Sequence, residues 1–187
     1  EAVLTDPRIP YRETIRKSAE AEGKHKKQSG GAGQYGHCKV RFEPGAADGV
    51  FEFVDAVVGG TVPRQFIPSV EKGLRDAIQK GVLAGYPMVN LKCTLFDGSS
   101  HPVDSKDIAF QMAAKLAYKD GCVKAGPVLL EPIYELKITV PDNYLGDVMG
   151  DMNKRRGRIM GTEVVGGKQL VTAEAPLSEI LKYATDL

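Results

Sequence analysis

Lys24-His25-Lys26-Lys27-Gln28-Ser29-Gly30-Gly31-Ala32-Gly33-Gln34-Tyr35-Gly36-His37-Cys38-Lys39-Val40-Arg41-Phe42 is the stretch from which the rest of the chain can be read. Four glycines between Gly30 and Gly36 lift the Cβ restriction on the backbone, so the segment can turn tightly and lie against a partner. Between Lys24 and Arg41 stand five basic side chains (Lys24, Lys26, Lys27, Lys39, Arg41), two histidines and no acid, in a chain whose formal net charge is only +1. Such a local excess of cations suits a polyanionic partner. Cys38, Val40 and Phe42 alternate with Lys39 and Arg41, which is the period of a strand with one apolar and one cationic face. Ahead of the loop, Tyr11 to Ile15 reads as a second strand, and residues 17–27 carry the chain out to the turn. The expected object is a projecting, glycine-tipped, basic, hairpin-like finger.

Gly31-Ala32-Gly33-Gln34-Tyr35-Gly36 also satisfies G-x-G-x-x-G. That pattern binds dinucleotides when it follows a strand and opens a helix, whereas here a strand follows it. A kinase-type loop wants Val two residues after the last glycine, where Cys38 stands. A phosphotransferase using this loop is the enzymatic alternative, and a plain flexible turn is the structural one. A hydrolase built on Cys38 with His37 or His101 is disfavoured, because neighbours on a strand point to opposite faces. No catalytic constellation is expected.

At 187 residues the chain can bury two small cores, and 42% hydrophobic with 26% charged residues is ordinary for a globular protein. No apolar run approaches membrane-spanning length and no signal-peptide pattern opens the chain, so the expectation is a cytoplasmic protein without a membrane partner. Cys38, Cys93 and Cys122 are odd in number and lack a C-x-x-C pairing, consistent with reduced thiols. Together with His25, His37 and His101 they show no metal-ligand spacing.

Taken in order, Val50 to Val58 reads as a strand and Ile67 to Gln79 as a helix with Pro68 in its first turn. Val89, Leu91, Cys93 and Leu95 alternate as a further strand, ending in the polar loop Asp97-Gly98-Ser99-Ser100-His101-Pro102. A helix then starts at Asp104 or Ser105 and closes at Asp120-Gly121, with Ile108, Ala109, Met112, Ala113, Leu116 and Ala117 as its apolar stripe. Ala125-Gly126-Pro127 and Glu131-Pro132 bracket a domain boundary at 129/130. Beyond it come strand Ile133 to Val140 and a helix from Asp142 to about Arg156, its inward face Tyr144, Leu145, Val148, Met149 and Met152. Gly157 stops that helix, strands Arg158 to Val165 and Lys168 to Ala175 are joined by Gly166-Gly167, and a short helix opens at Ser178. This order is a split βαβ sandwich short of one strand, so the expectation is an incomplete second domain. Lys154, Arg155, Arg156 and Arg158 gather at a helix C-terminus, either to complement its dipole or as a second phosphate-binding patch.

Several stretches resemble translation elongation factor G. They include Gln28-Ser29-Gly30-Gly31, Gly33-Gln34-Tyr35-Gly36-His37, Gly59-Gly60-Thr61-Val62-Pro63, Gly85-Tyr86-Pro87 and Asp97-Gly98-Ser99-Ser100-His101. Tyr144-Leu145-Gly146-Asp147-Val148-Met149-Gly150-Asp151, Arg155-Arg156-Gly157 and Pro176-Leu177-Ser178-Glu179 do so as well. These run end to end in the family's order. The resemblance implies an α+β chain of two domains: domain IV over 1–129, a ribosomal-protein-type two-layer domain with a βαβ crossover, and a truncated domain V over 130–187, of incomplete ferredoxin-like form. It implies a fragment, without enzymatic activity of its own, of a GTPase that drives translocation of tRNA and mRNA, GTP and Mg being held on domains absent here.

The partner implied is the ribosome, met by a monomer. The tip loops (Ser29, Gly30, Gly31, Gly33, Gln34, Tyr35, Gly36, His37 with Asp97, Gly98, Ser99, His101) would touch the tRNA–mRNA helix in the small-subunit decoding site. Lys24, Lys26, Lys27 and Arg41 would meet rRNA phosphates. The second domain, with its basic patch, would lean on the large-subunit stalk base and sarcin–ricin loop. Ala32 stands where the family usually carries Arg, and Ser100 and Pro102 where Tyr and Asp are common. The Lys24 to Lys27 run is similar to divergent second copies of the factor.

Overall fold

The alternation through Cys38, Val40 and Phe42 builds the strand at the centre of the larger unit. The computed structural model describes residues 9–28 and 31–186, side chains of 183–186 excepted, and divides into Arg12–Leu130 and a second unit from Glu131 onward, to which the described residues 9–11 also belong. In the first, β1 (Arg12–Ile15) pairs antiparallel with β6 (Pro127–Leu130). A four-stranded sheet runs β2-β3-β5-β4, made of β2 (Ala19–Lys27), β3 (Gln34–Pro44), β5 (Leu91–Ser99) and β4 (Phe51–Asp55). Strands β4 and β5 are parallel, so α1 (Ile67–Ala77) between them makes the βαβ crossover that the resemblance implied. α1 and α2 (Asp107–Lys124) complete the second layer.

One core joins the layers. Cys38, Val40, Phe42, Leu91, Cys93 and Leu95 from the sheet meet Val70, Leu74 and Phe110 from the helices, all at 0% exposure. Each large apolar side chain so buried contributes about 1.5–3 kcal/mol. Phe66 stacks on Phe110 at 4.7 Å between ring centroids.

Four expectations change here. The finger is a hairpin, but its first strand is β2 and not Tyr11 to Ile15, which pairs elsewhere. Strand β2 escapes a hydrophobic reading because its inner face is Ala19, Ala21, Gly23 and His25. The reason is α2, which lies almost against the hairpin backbone: a Cβ on Gly23 would sit 1.8 Å from the Ala113 carbonyl oxygen, and one on Gly36 2.5 Å from that of Ala109. That closeness also divides the expected stripe of α2, whose alanines are buried as expected and whose large residues are not. The small residues Ala109, Ala113, Ala114 and Ala117 face inward with Phe110, while Ile108, Met112 and Leu116 stay exposed. The helix also begins later, at Asp107, and passes through Gly121, which serves packing there because the Phe42 ring lies where a side chain would stand. Finally, Asp97, Gly98 and Ser99 belong to β5 rather than to a loop, opposite Lys39, Cys38 and His37 across a bulge.

In the second unit β7 (Ile133–Val140), β8 (Arg158–Val165) and β9 (Lys168–Pro176) form an antiparallel sheet in the order β7-β9-β8. α3 (Leu145–Lys154) lies between β7 and β8, and α4 (Leu177–Asp186) follows β9. Gly166 and Gly167 have φ of +56° and +77°, the mirror-image turn whose twist suits a two-residue hairpin. Met152, Val171, Ala173 and Ala175 are its buried apolar residues. Tyr144, expected inward, is exposed, since it lies in a 3-10 turn (Asp142–Tyr144) ahead of α3. The left-handed residue that ends α3 is Arg156 (φ +56°), one position before the expected stop at Gly157. Among the described residues no helix is long and apolar enough to cross a membrane.

Candidate nucleic-acid interface

Hairpin register fixes what the finger presents. Lys27 faces Gln34, Lys26 faces Tyr35, and Lys24 faces His37, so the loop between them closes the far end. Ser29 and Gly30 lie outside the described residues. The Tyr35 N–H donates to the Asp104 carbonyl at 2.9 Å and Tyr35 bridges Ser105, which brings the segment after β5 to the same tip. Side chains lock the junction. The Tyr35 hydroxyl lies 2.7 Å from Ser99 Oγ, His37 Nδ1 lies 2.8 Å from that same oxygen, and His37 Nε2 meets Glu22 at 2.9 Å. The hydrogen bond from His37 holds the Glu22 carboxyl below the usual range.

His101 stands at the outer edge of this junction, half-exposed, its ring 6.2 Å from that of Tyr35. Its Nδ1 accepts the backbone N–H groups of Val103 (3.1 Å) and Asp104 (3.0 Å), so the ring proton belongs on Nε2, which is a donor. Gln34 Oε1 accepts from His25 Nε2 at 2.9 Å. The two side chains are thus held in fixed poses at one end of the unit.

The glycines do less there than expected. Gly31 faces open space, but Gly33 packs on the Asp104 carboxylate, Gly36 on α2, and Gly98 on the His37 carbonyl. Their smallness serves packing between loops and layers. Among the described residues the Gly-rich segment runs straight into β3 and presents no helix N-terminus to a phosphate.

Cations are unevenly committed. Lys26 and Lys27 are exposed, and Lys24 Nζ sits 5.6 Å from the Tyr35 ring centroid. Lower on the finger, Arg41 is bound to Glu20 at 3.1 Å and lies over Phe96, and Lys39 stands 3.6 Å from Asp97. Asp97 is held below the usual carboxyl range, first by the Gly98 backbone N–H and also by Lys39. The second basic cluster is half committed to acids of its own unit. Arg155 binds Asp151 at 3.1 Å and the Glu179 carbonyl at 3.3 Å. Arg156 grips Glu131 through two bonds of 2.6 and 3.0 Å and reaches Glu179 at 3.4 Å. Lys154 and Arg158 remain exposed.

One functional anchor was not foreseen. Glu13 is fully buried, and its carboxylate accepts the backbone N–H groups of Leu83 (2.7 Å), Ala84 (3.0 Å) and Tyr86 (2.8 Å). The available signal was an acid in phase with Ile15 on the apolar side of a strand. All three cysteines are buried, which pushes the Cys38 and Cys122 thiols up to about 12 and Cys93 up as well. Among the described residues no three His, Cys, Asp or Glu side chains are grouped to hold a metal.

Comparison with known proteins agrees with this architecture. The family model described as elongation factor G, domain IV matches residues 7–126, and the one described as elongation factor G C-terminus matches 128–187. Elongation factor G of Aquifex pyrophilus is 55% identical over 187 residues, all of this chain and 27% of that relative. A crystal structure of a protein from Thermus thermophilus superposes with a TM-score of 0.84 at 48% identity, over 96% of this chain and 27% of that one. The chain therefore spans about a quarter of the length of the relatives it matches. Two family models in tandem over two compact units, and a relative more than half identical from end to end, lead to one conclusion: this chain belongs to the elongation factor G family.

Proposed function

We propose that this chain is the ribosome-engaging part of a translocation factor and acts by occupancy, with no bond-making chemistry of its own. The joined tip of 31–37 and 99–105 enters the small-subunit decoding site and meets the tRNA–mRNA helix. The unit from Glu131 onward leans on the large-subunit stalk base and sarcin–ricin loop. The observation that carries this reading is the tip itself: a half-exposed His101 donor held near the Tyr35 ring, Gln34 (one residue earlier on β3) fixed by His25, and Lys26 and Lys27 exposed on the paired strand. An A-form helix offers a wide, shallow minor groove of 2′-hydroxyls and base edges, which short fixed donors and acceptors can read, while lysines meet the phosphates. GTP bound with Mg on other domains of such a factor supplies the hydrolysis that drives or times movement. This chain's residues block backward slippage once the site is filled. We further propose that it works as a monomer in the cytoplasm.

The test has two arms. Binding of the chain to ribosomes should weaken steeply with salt, and Lys26→Ala and Lys27→Ala should each reduce the log–log slope by about 1. In a full-length factor, His101→Ala and Gln34→Ala should slow translocation while GTP hydrolysis stays near its normal rate. Salt-independent binding, or loss of hydrolysis in the tip variants, would refute the proposal.

A further inference from the structure

The exposed stripe of α2 faces a groove of about 700 Å³, walled on the other side by the 80–85 loop. Leu83, Met112, Leu116 and Val123 line it and are 53%, 38%, 46% and 58% exposed. Ile108, at 47%, continues the stripe toward the tip. Scattered apolar residues need no explanation, but a contiguous exposed strip does. The groove is also built to keep its shape. Glu13 pins the loop by three backbone N–H groups, and the Tyr118 hydroxyl donates to the Lys80 carbonyl at 3.1 Å, tying α2 to that loop. Its charged lining has one sign, and Asp120 just outside it is paired with Lys124 at 2.7 Å. Lys80, Lys115 and Lys119 line the groove, and none of the described lining residues is acidic.

We infer that α2 and the 80–85 loop form a docking groove for an acidic amphipathic helix of a protein partner. From Ile108 to Val123 the stripe spans about 22 Å at 1.5 Å per residue, roughly four turns of a bound helix. Such a helix lays apolar residues at i, i+3/i+4 and i+7 into the groove. Glu or Asp on its flanks meets the lysines, which sets orientation and speeds encounter. A nucleic acid satisfies the lysines but has no counterpart for Leu83, Met112, Leu116 and Val123. The groove meets the tip at His25, which also holds Gln34, so its test uses Met112, Leu116, Lys115 and Lys119, none of which the tip employs.

The experiment selects a displayed library of random 16-residue helical peptides on the 187-residue chain, counter-selecting on Leu116→Glu, a substitution at an exposed site. Enriched peptides should combine an apolar i, i+4, i+7 pattern with flanking Asp or Glu. Fluorescence anisotropy of the best one should show a loss of about tenfold or more in Leu116→Glu and Met112→Glu, as for a central anchor. Lys115→Ala with Lys119→Ala should weaken binding and flatten its salt dependence. Circular dichroism and thermal melts check that each variant is folded. No enrichment, enriched peptides without acids, or displacement of the peptide by an RNA hairpin would overturn the inference. So would a full-length factor in which Cys placed by Leu116→Cys resists alkylation, since the protein itself would then cover the groove.

Discussion

Glu13→Ala should be among the most damaging substitutions in the larger unit. The carboxylate is fully buried and accepts three backbone N–H groups at 2.7–3.0 Å. Hydrogen bonds to a charged group contribute about 1.5–3 kcal/mol each, and a buried donor left without a partner costs about 1–3 kcal/mol. Such terms do not add fully, because the loop relaxes and water reaches its exposed side at Leu83 and Ala84. A loss of about 3–5 kcal/mol follows, or roughly 10 °C or more in the melting temperature of a unit this size. Glu13→Gln separates charge from shape. Its amide NH2 must face one of the N–H donors now met by Oε1 or Oε2, so it should recover less than half of the loss. Thermal melts of the 187-residue chain, with hydrogen exchange at Leu83, Ala84 and Tyr86, measure both effects. A loss below about 1 kcal/mol for Glu13→Ala, with unchanged exchange at those amides, would show that the carboxylate does not hold the loop.

Gly23→Ala should cost about 1–3 kcal/mol or more, because the added methyl meets the Ala113 carbonyl backbone rather than a side chain that can swing away; urea unfolding tests it. The thiols of Cys38, Cys93 and Cys122, buried and raised in pKa, should resist iodoacetamide at pH 8 in the native chain and all react once it is unfolded, as mass spectrometry would show. Glu131 is held below its ordinary 4.5, first by its hydrogen bond to Arg156. A depressed folded pKa gives stability that is present above 4.5 and lost as pH falls through the lower folded value. Melts of the second unit between pH 6 and pH 3 should therefore drop, and Glu131→Gln should remove that part of the drop while lowering stability at pH 6.

What the chain disclosed depended on where large apolar side chains fell. Strand β7 was legible to its ends because Leu136, Ile138 and Val140 alternate with charged or polar neighbours, and the Gly166-Gly167 turn was legible from glycine alone. Strand β2 was not, since its inner face is alanine and glycine and its pattern carries no hydrophobic signal. The inward face of α2 was read only in part: Ala109, Ala113 and Ala117 are buried as expected, but the rest of that face is Phe110, Ala114, Tyr118 and Cys122, and Ile108, Met112 and Leu116 are left exposed. At the candidate site, composition marked both tip segments and the lysines. It could not show that Tyr35 joins them through a backbone bond to Asp104, or that Arg41 and Arg156 are held by acids, because these partners lie far away in sequence.

The seating of the hairpin on α2 has a mechanical consequence. A lone two-stranded ribbon bends readily across its flat face. Here an 18-residue helix is pressed onto it, main chain close to main chain at Gly36 and Gly23 and the Phe42 ring against Gly121 near the root. The pair behaves as a laminated strut whose resistance to flexing grows with its depth, so a load applied at His101 is delivered to the root with little deflection. Each methyl group added between the layers would loosen that lamination as well as lower the melting temperature.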